Sequence, residues 1–105
     1  MFDQTVFLEE TSYLTPEERH YLLEQARIVL NEMMLLNAHS FSTLSSLSHK
    51  HIGTFKLLGF IQLVAKAKEL NKSYRYQFNI MSTFEEFRQH LIEAKESLDR
   101  YLLQY

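Results

Sequence analysis

The sequence predicts an all-α fold, an antiparallel up-down four-helix bundle with a short extra N-terminal helix. Three observations carry this. Chain breakers are scarce, with one proline and two glycines in 105 residues, too few for a meander of short strands. Apolar residues recur every three or four positions over long stretches, the period of a helix with one face toward a core. Two segments, Thr15-Pro16-Glu17-Glu18 and Ser82-Thr83-Phe84-Glu85, have the chemistry of helix starts. In each, a hydroxyl and a carboxylate three residues on can satisfy backbone N–H groups reciprocally. The length suits one domain, 1–105, with a single core.

The elements follow in order. Asp3 to Ser12 contains Val6, Phe7 and Leu8, enough for a short amphipathic helix. Thr15 caps the next helix, with Pro16 at its first position. Its apolar face is Leu22, Leu23, Ala26, Val29, Leu30, Met33, Met34 and Leu36, and it should end near Asn37-Ala38-His39. Ser40 is expected to cap a third helix running unbroken to about Leu58, where Gly59 stops it. Phe60 to Asn71 forms a shorter helix through Leu63, Val64, Ala67 and Leu70. Residues 72–81 read as a polar and aromatic connection. The last helix, from the Ser82 signal to the end of the chain, is carried by Phe84, Phe87, Leu91, Ala94, Leu98, Tyr101 and Leu102.

Composition excludes several functions. The formal net charge is −2, with acids and bases interspersed, which argues against phosphate-driven nucleic-acid binding. There is no cysteine, hence no disulfide framework, thiolate nucleophile or cysteine–zinc site. No signal peptide and no bilayer-length apolar run is apparent, so the cytoplasm is the expected compartment and no membrane is an expected partner. No glycine-rich phosphate loop is present, and no cofactor is expected.

The residues that invite chemistry lie in the third helix. Both glycines stand at fixed offsets from His49, four and ten residues on. A glycine inside a helix costs ~1 kcal/mol relative to alanine and marks a place where a side chain would obstruct. At about 100° per residue, Leu44, Leu47, Phe55 and Leu58 lie at least ~120° from His49 and face the core. Ser42, Ser45, Gly53 and Lys56 lie within about 40° of it. His49 is therefore expected to be exposed. His51, about 200° round, falls in the apolar arc and is expected to be mostly buried. The two cannot ligate one metal from a helix, and no metal site is expected. His20, His39 and His90 are isolated and receive no role. A neutral imidazole on a solvated face is a nucleophile toward an activated phosphoryl group. Gly53 leaves the approach open, Lys56 and Lys50 supply nearby positive charge, and Ser42 and Ser45 keep the face polar.

On these residues the chain resembles the histidine phosphotransfer (HPt) domain family of phosphorelays. That family's pattern is a histidine followed by leucine at plus two, lysine at plus three, and glycines at plus four and plus ten. His49, Gly53 and Gly59 match it, and Phe41, Leu44, Leu47 and Ser48 resemble the run that leads into the family histidine. Asn71 stands where the family often has a glutamate or glutamine facing the active histidine. There are two departures, His51 for the leucine and Ile52 for the lysine, and Lys56 is the expected substitute cation.

The resemblance implies a phosphorelay intermediate. His49 would accept a phosphoryl group from a receiver-domain aspartyl phosphate and pass it to another receiver, without kinase activity of its own. The implied partners are response-regulator receiver domains and a hybrid sensor kinase. Magnesium would come with the receiver. Met1 and a complete bundle lead us to expect a free-standing monomer. The alternatives are a binding-only relative that docks receivers without phosphotransfer, which Ile52 favours, and an unrelated helical adaptor.

Overall fold

The computed structural model describes residues 1–104. Six α-helices and one 3₁₀ turn account for nearly all of them, and no strand occurs among the described residues. The helices are α1 (Gln4–Glu10), α2 (Pro16–Met34), α3 (Phe41–Lys50), α4 (Ile52–Leu57), α5 (Ile61–Tyr76) and α6 (Ile80–Leu103), with the 3₁₀ turn at Ala38–Ser40. The molecule is elongated, 42 × 22 × 18 Å. α6 alone, at ~1.5 Å per residue, runs most of the long axis. α5 packs along α6 and α3, α6 also packs along α2, and α4 bridges α5 and α1.

The starts of the first two helices follow the sequence. Asp3 caps α1, its Oδ1 accepting from the Val6 N–H at 3.1 Å. The Thr15 box is complete. Thr15 Oγ1 accepts from the Glu18 N–H at 3.1 Å, and Glu18 Oε1 from the Thr15 N–H at 2.9 Å. α2 buries Leu23, Ala26, Leu30 and Met33 and ends at Met34, earlier than expected. Asn37 then folds its side chain onto the His39 N–H at 2.9 Å. This local ring competes with helix and opens the 3₁₀ turn. Asn37, not Ser40, is thus the side-chain cap here, and Ser40 makes no capping bond. Arg88 of α6 donates to the Leu36 carbonyl at 3.2 Å, satisfying an acceptor that the end of α2 leaves without a partner.

The expected unbroken third helix is divided. His51 sits between α3 and α4 with φ −103° and ψ 11°, outside helical geometry. Hydrogen bonds still straddle the break, from the His51 N–H to Leu47 O and from the Phe55 N–H to His51 O. Gly53 therefore occupies the first turn of α4 and not a helix interior. Gly59 ends the segment in the left-handed region, φ +75°. A Cβ there would lie 2.5 Å from Asp3 Cβ. The glycine is required by conformation and by close approach.

The N-terminal residues are tied across this junction. The Asp3 N–H donates to Leu58 O at 3.0 Å, and the Phe2 N–H to Ser97 Oγ at 2.8 Å. The Phe2 ring lies 4.6 Å from Tyr101 and 5.6 Å from Phe7, centroid to centroid.

α5 is longer than the sequence indicated, and it takes up residues 72–76 of the expected connection. Its end is set by two left-handed residues, Gln77 (φ 56°) and Asn79 (φ 51°). The buried Ser73 hydroxyl bonds back to the Phe78 carbonyl. This turn starts α6 at Ile80, so Ser82 lies within the helix and the second capping box is not formed. α6 buries Phe84, Phe87, Leu91, Ala94 and Leu98 of the expected stripe, while its last two members, Tyr101 and Leu102, are half-buried. It stays helical to Leu103, and the expectation that it reaches the chain end falls, for Tyr105, outside the described residues.

Candidate functional site

Two helices with matching polar spacing face each other. On α3, Ser42, Ser45, Ser46 and His49 recur at offsets of three and four, which places them on one face. On α5, Lys68, Asn71, Lys72 and Arg75 do the same. Because α3 packs on α5, these faces border one open groove of about 920 Å³, completed by Ile52, Tyr74 and Tyr76.

The floor of the groove is hydrogen-bonded. The buried Ser45 hydroxyl donates to Asn71 Oδ1 at 2.7 Å, and Asn71 Nδ2 donates to the Ala67 carbonyl at 2.8 Å. The Asn71 side chain is thus held from both ends. One turn toward the N-terminus of α3, Ser42 Oγ donates to Tyr74 Oη at 3.0 Å. The Tyr74 ring lies 6.0 Å from that of the buried Phe41, so the apolar core steadies the tyrosine and through it this end of the groove.

His49 lies at the rim, one helical turn beyond Ser45. It is exposed, as expected. Its imidazole makes no hydrogen bond or ion pair within the described residues, so a ring lone pair is accessible to an electrophile. His51 differs from expectation: it is half-buried, not mostly buried, because the chain leaves helical geometry at this residue. Burial lowers its pKa. The Lys50 charge acts in the same direction, and Glu32 of α2 opposes both.

The structure therefore brings together His49, Ser45 and Asn71 of the expected site residues. Gly53 is exposed, and a Cβ on it would meet nothing within 4 Å. Lys50 and Lys56 are exposed and do not line the groove. The interruption at His51 removes the basis for the angle that put Lys56 beside His49, since a constant ~100° per residue holds only within a continuous helix. The cations that do line the groove, Lys68, Lys72 and Arg75, come from α5. Lys72 and Arg75 were not legible because residues 72–81 read as connection, and Lys68, although inside the expected helix, received no role because nothing in the sequence places that helix against α3. The signal was present in their spacing around Asn71, which repeats the serine–histidine spacing of α3.

Among the described residues no group of three or more His, Asp or Glu could hold a metal ion, and no helix is long and apolar enough to cross a membrane. No family model, curated protein or solved structure matches the chain.

Proposed function

We propose that this chain is a histidine phosphotransfer protein, a phosphorelay intermediate with His49 as the phosphoryl acceptor. In this reading α2, the α3–α4 segment, α5 and α6 are the four members of an antiparallel up-down bundle, and α1 is the short helix across one end. The observation that carries the reading is the placement of His49: an exposed, unpaired imidazole on the rim of a groove whose opposite wall bears three cations.

The chemistry is a displacement at phosphorus. An imidazole nitrogen attacks the aspartyl phosphate of a receiver domain. The N–P bond forms, the acyl O–P bond breaks, and its electron pair leaves on the receiver's carboxylate. The imidazole proton passes to water. Return to a second receiver reverses these steps. Positive charge beside the transferring group stabilises its non-bridging oxygens, and exposure of His49 admits the partner's acidic pocket with its magnesium. The partners are receiver domains and a hybrid sensor kinase, and the compartment is the cytoplasm.

Ile52 favours a second reading. It lines the groove with an apolar side chain where the resembled family carries a lysine, as in a protein that docks receivers without accepting phosphate. Phosphotransfer from phosphorylated receiver domains of the source organism separates the two. The relay reading expects acid-labile, base-stable phosphate on the wild type and none on His49→Gln. Receiver binding with no phosphate on His49 would establish the docking protein instead.

A further inference from the structure

Three of the four α5 cations, Lys68, Lys72 and Arg75, are grouped on one groove wall without an acidic partner, whereas the other unpaired ones, Lys50, Lys56 and Arg100, lie outside the groove. Of the eleven lysines and arginines, five are engaged among the described residues. Lys66 pairs with Glu69 and Glu86, Lys95 with Asp99, and Arg27 with Glu24 and Asp99. Arg19 donates to the Thr11 carbonyl and Arg88 to that of Leu36. Lys68, Lys72 and Arg75 make no hydrogen bond or ion pair among the described residues. They stand at i, i+4 and i+7 of one helix, where like charges repel, and no aspartate or glutamate lines the groove to offset them. In a chain of net charge −2, this is a segregated positive wall facing a histidine.

We infer that the α3–α5 groove is a phosphate site in which Lys68, Lys72 and Arg75 take the oxygens of a phosphate dianion. A guanidinium matches two phosphate oxygens at once, while ammonium groups act as mobile point charges. The facing wall contributes the Ser46 hydroxyl, and the Ser45–Asn71 bond holds the two walls at a set separation. The dianion has two possible sources: a phosphoryl group covalently on His49, or free inorganic phosphate. For phosphohistidine the inference rests on the relay reading above; for the free ion it does not. In either case the cationic wall comes from α5, and not from the helix segment that bears the histidine.

Two arms test this on the full chain. In the first, inorganic phosphate is titrated into wild type and into His49→Ala at constant ionic strength, followed by ¹H–¹⁵N spectra. The expected result is saturable shifts confined to the groove residues of α3 and α5. They should be weakened several-fold by Lys72→Gln or Arg75→Gln, lost in the combined Lys68→Gln, Lys72→Gln and Arg75→Gln protein, and unchanged in Arg100→Gln, which removes an exposed charge elsewhere. In the second arm, phosphoramidate phosphorylates the protein without a receiver, and ³¹P spectra follow the second ionisation of the phosphoryl group. Neighbouring cations favour its dianion, so the combined variant should titrate at higher pH than wild type. If His49 refuses phosphoramidate while phosphate binds saturably, the relay reading fails and the phosphate site stands. If His49 is phosphorylated but the combined variant matches wild type in both arms, the site is overturned and the relay reading stands. Unsaturable shifts spread over all lysines, in a protein that phosphoramidate does not modify, overturn both.

Discussion

Ser45 on α3 donates its hydroxyl to the carboxamide oxygen of Asn71 on α5 at 2.7 Å, and this bond forms the floor beneath His49. Asn71→Ala should leave the buried Ser45 hydroxyl without its acceptor, at a cost of about 1–3 kcal/mol. Ser45→Ala should cost less, about 1 kcal/mol, because the half-buried Asn71 oxygen can recruit water. Urea unfolding of both single variants and the double variant measures the coupling. Strictly additive losses would mean that the bond contributes nothing to holding the groove.

The two glycines should respond differently to alanine. Gly53→Ala adds a methyl to open space and should change stability by less than ~1 kcal/mol. Gly59→Ala forces a side chain into a left-handed residue and against Asp3, and should destabilise by about 1–3 kcal/mol. Thermal melts check both. A bulky Gly53→Gln should keep the melting temperature and impair receiver docking or transfer. Unimpaired transfer would remove the steric reason for this glycine.

His51 should give the protein an acid-side weakness. Burial holds its folded pKa below the ordinary 6.5, so between the two values the unfolded chain binds more protons. Stability from this residue is complete above the unfolded pKa and declines as pH falls through 6.5 toward the folded value. His51→Leu removes the proton-binding difference. Its advantage over wild type, measured by urea midpoints, should therefore be larger at pH 5.5 than at pH 7.5. An advantage independent of pH would place the effect in packing alone.

Phe2 should matter to stability and not to the groove. Its ring meets Tyr101, Phe7 and Phe60, while it lines no part of the His49 groove. Being half-buried, it should cost about 2 kcal/mol on Phe2→Ala, below the ~3–5 kcal/mol of a fully buried phenylalanine. The melting temperature should fall, with reactivity of His49 toward phosphoramidate unchanged at temperatures where the variant is folded.

Several features were determined by the sequence alone. The helical class, the Thr15 box, the apolar stripe of α6 and the stop at Gly59 depend on spacing and local backbone chemistry, which adjacent residues specify. The exposure of His49 followed from the helical period within α3, since it lies within ten residues of the apolar positions that orient the helix. Where local rules competed, the sequence could not decide. The Ser82 signal was as sound as the Thr15 signal, yet left-handed residues at Gln77 and Asn79 started α6 earlier and placed Ser82 inside it. The Asn37 side-chain ring displaced the expected Ser40 cap. The division of the third helix at His51 and the extension of α5 through Tyr76 decided which cations line the groove. That choice belongs to tertiary structure, because Lys68, Lys72 and Arg75 are roughly twenty or more residues from His49 in sequence. They border the same groove only because α3 packs on α5, and a helical period relates residues within one helix, never across two.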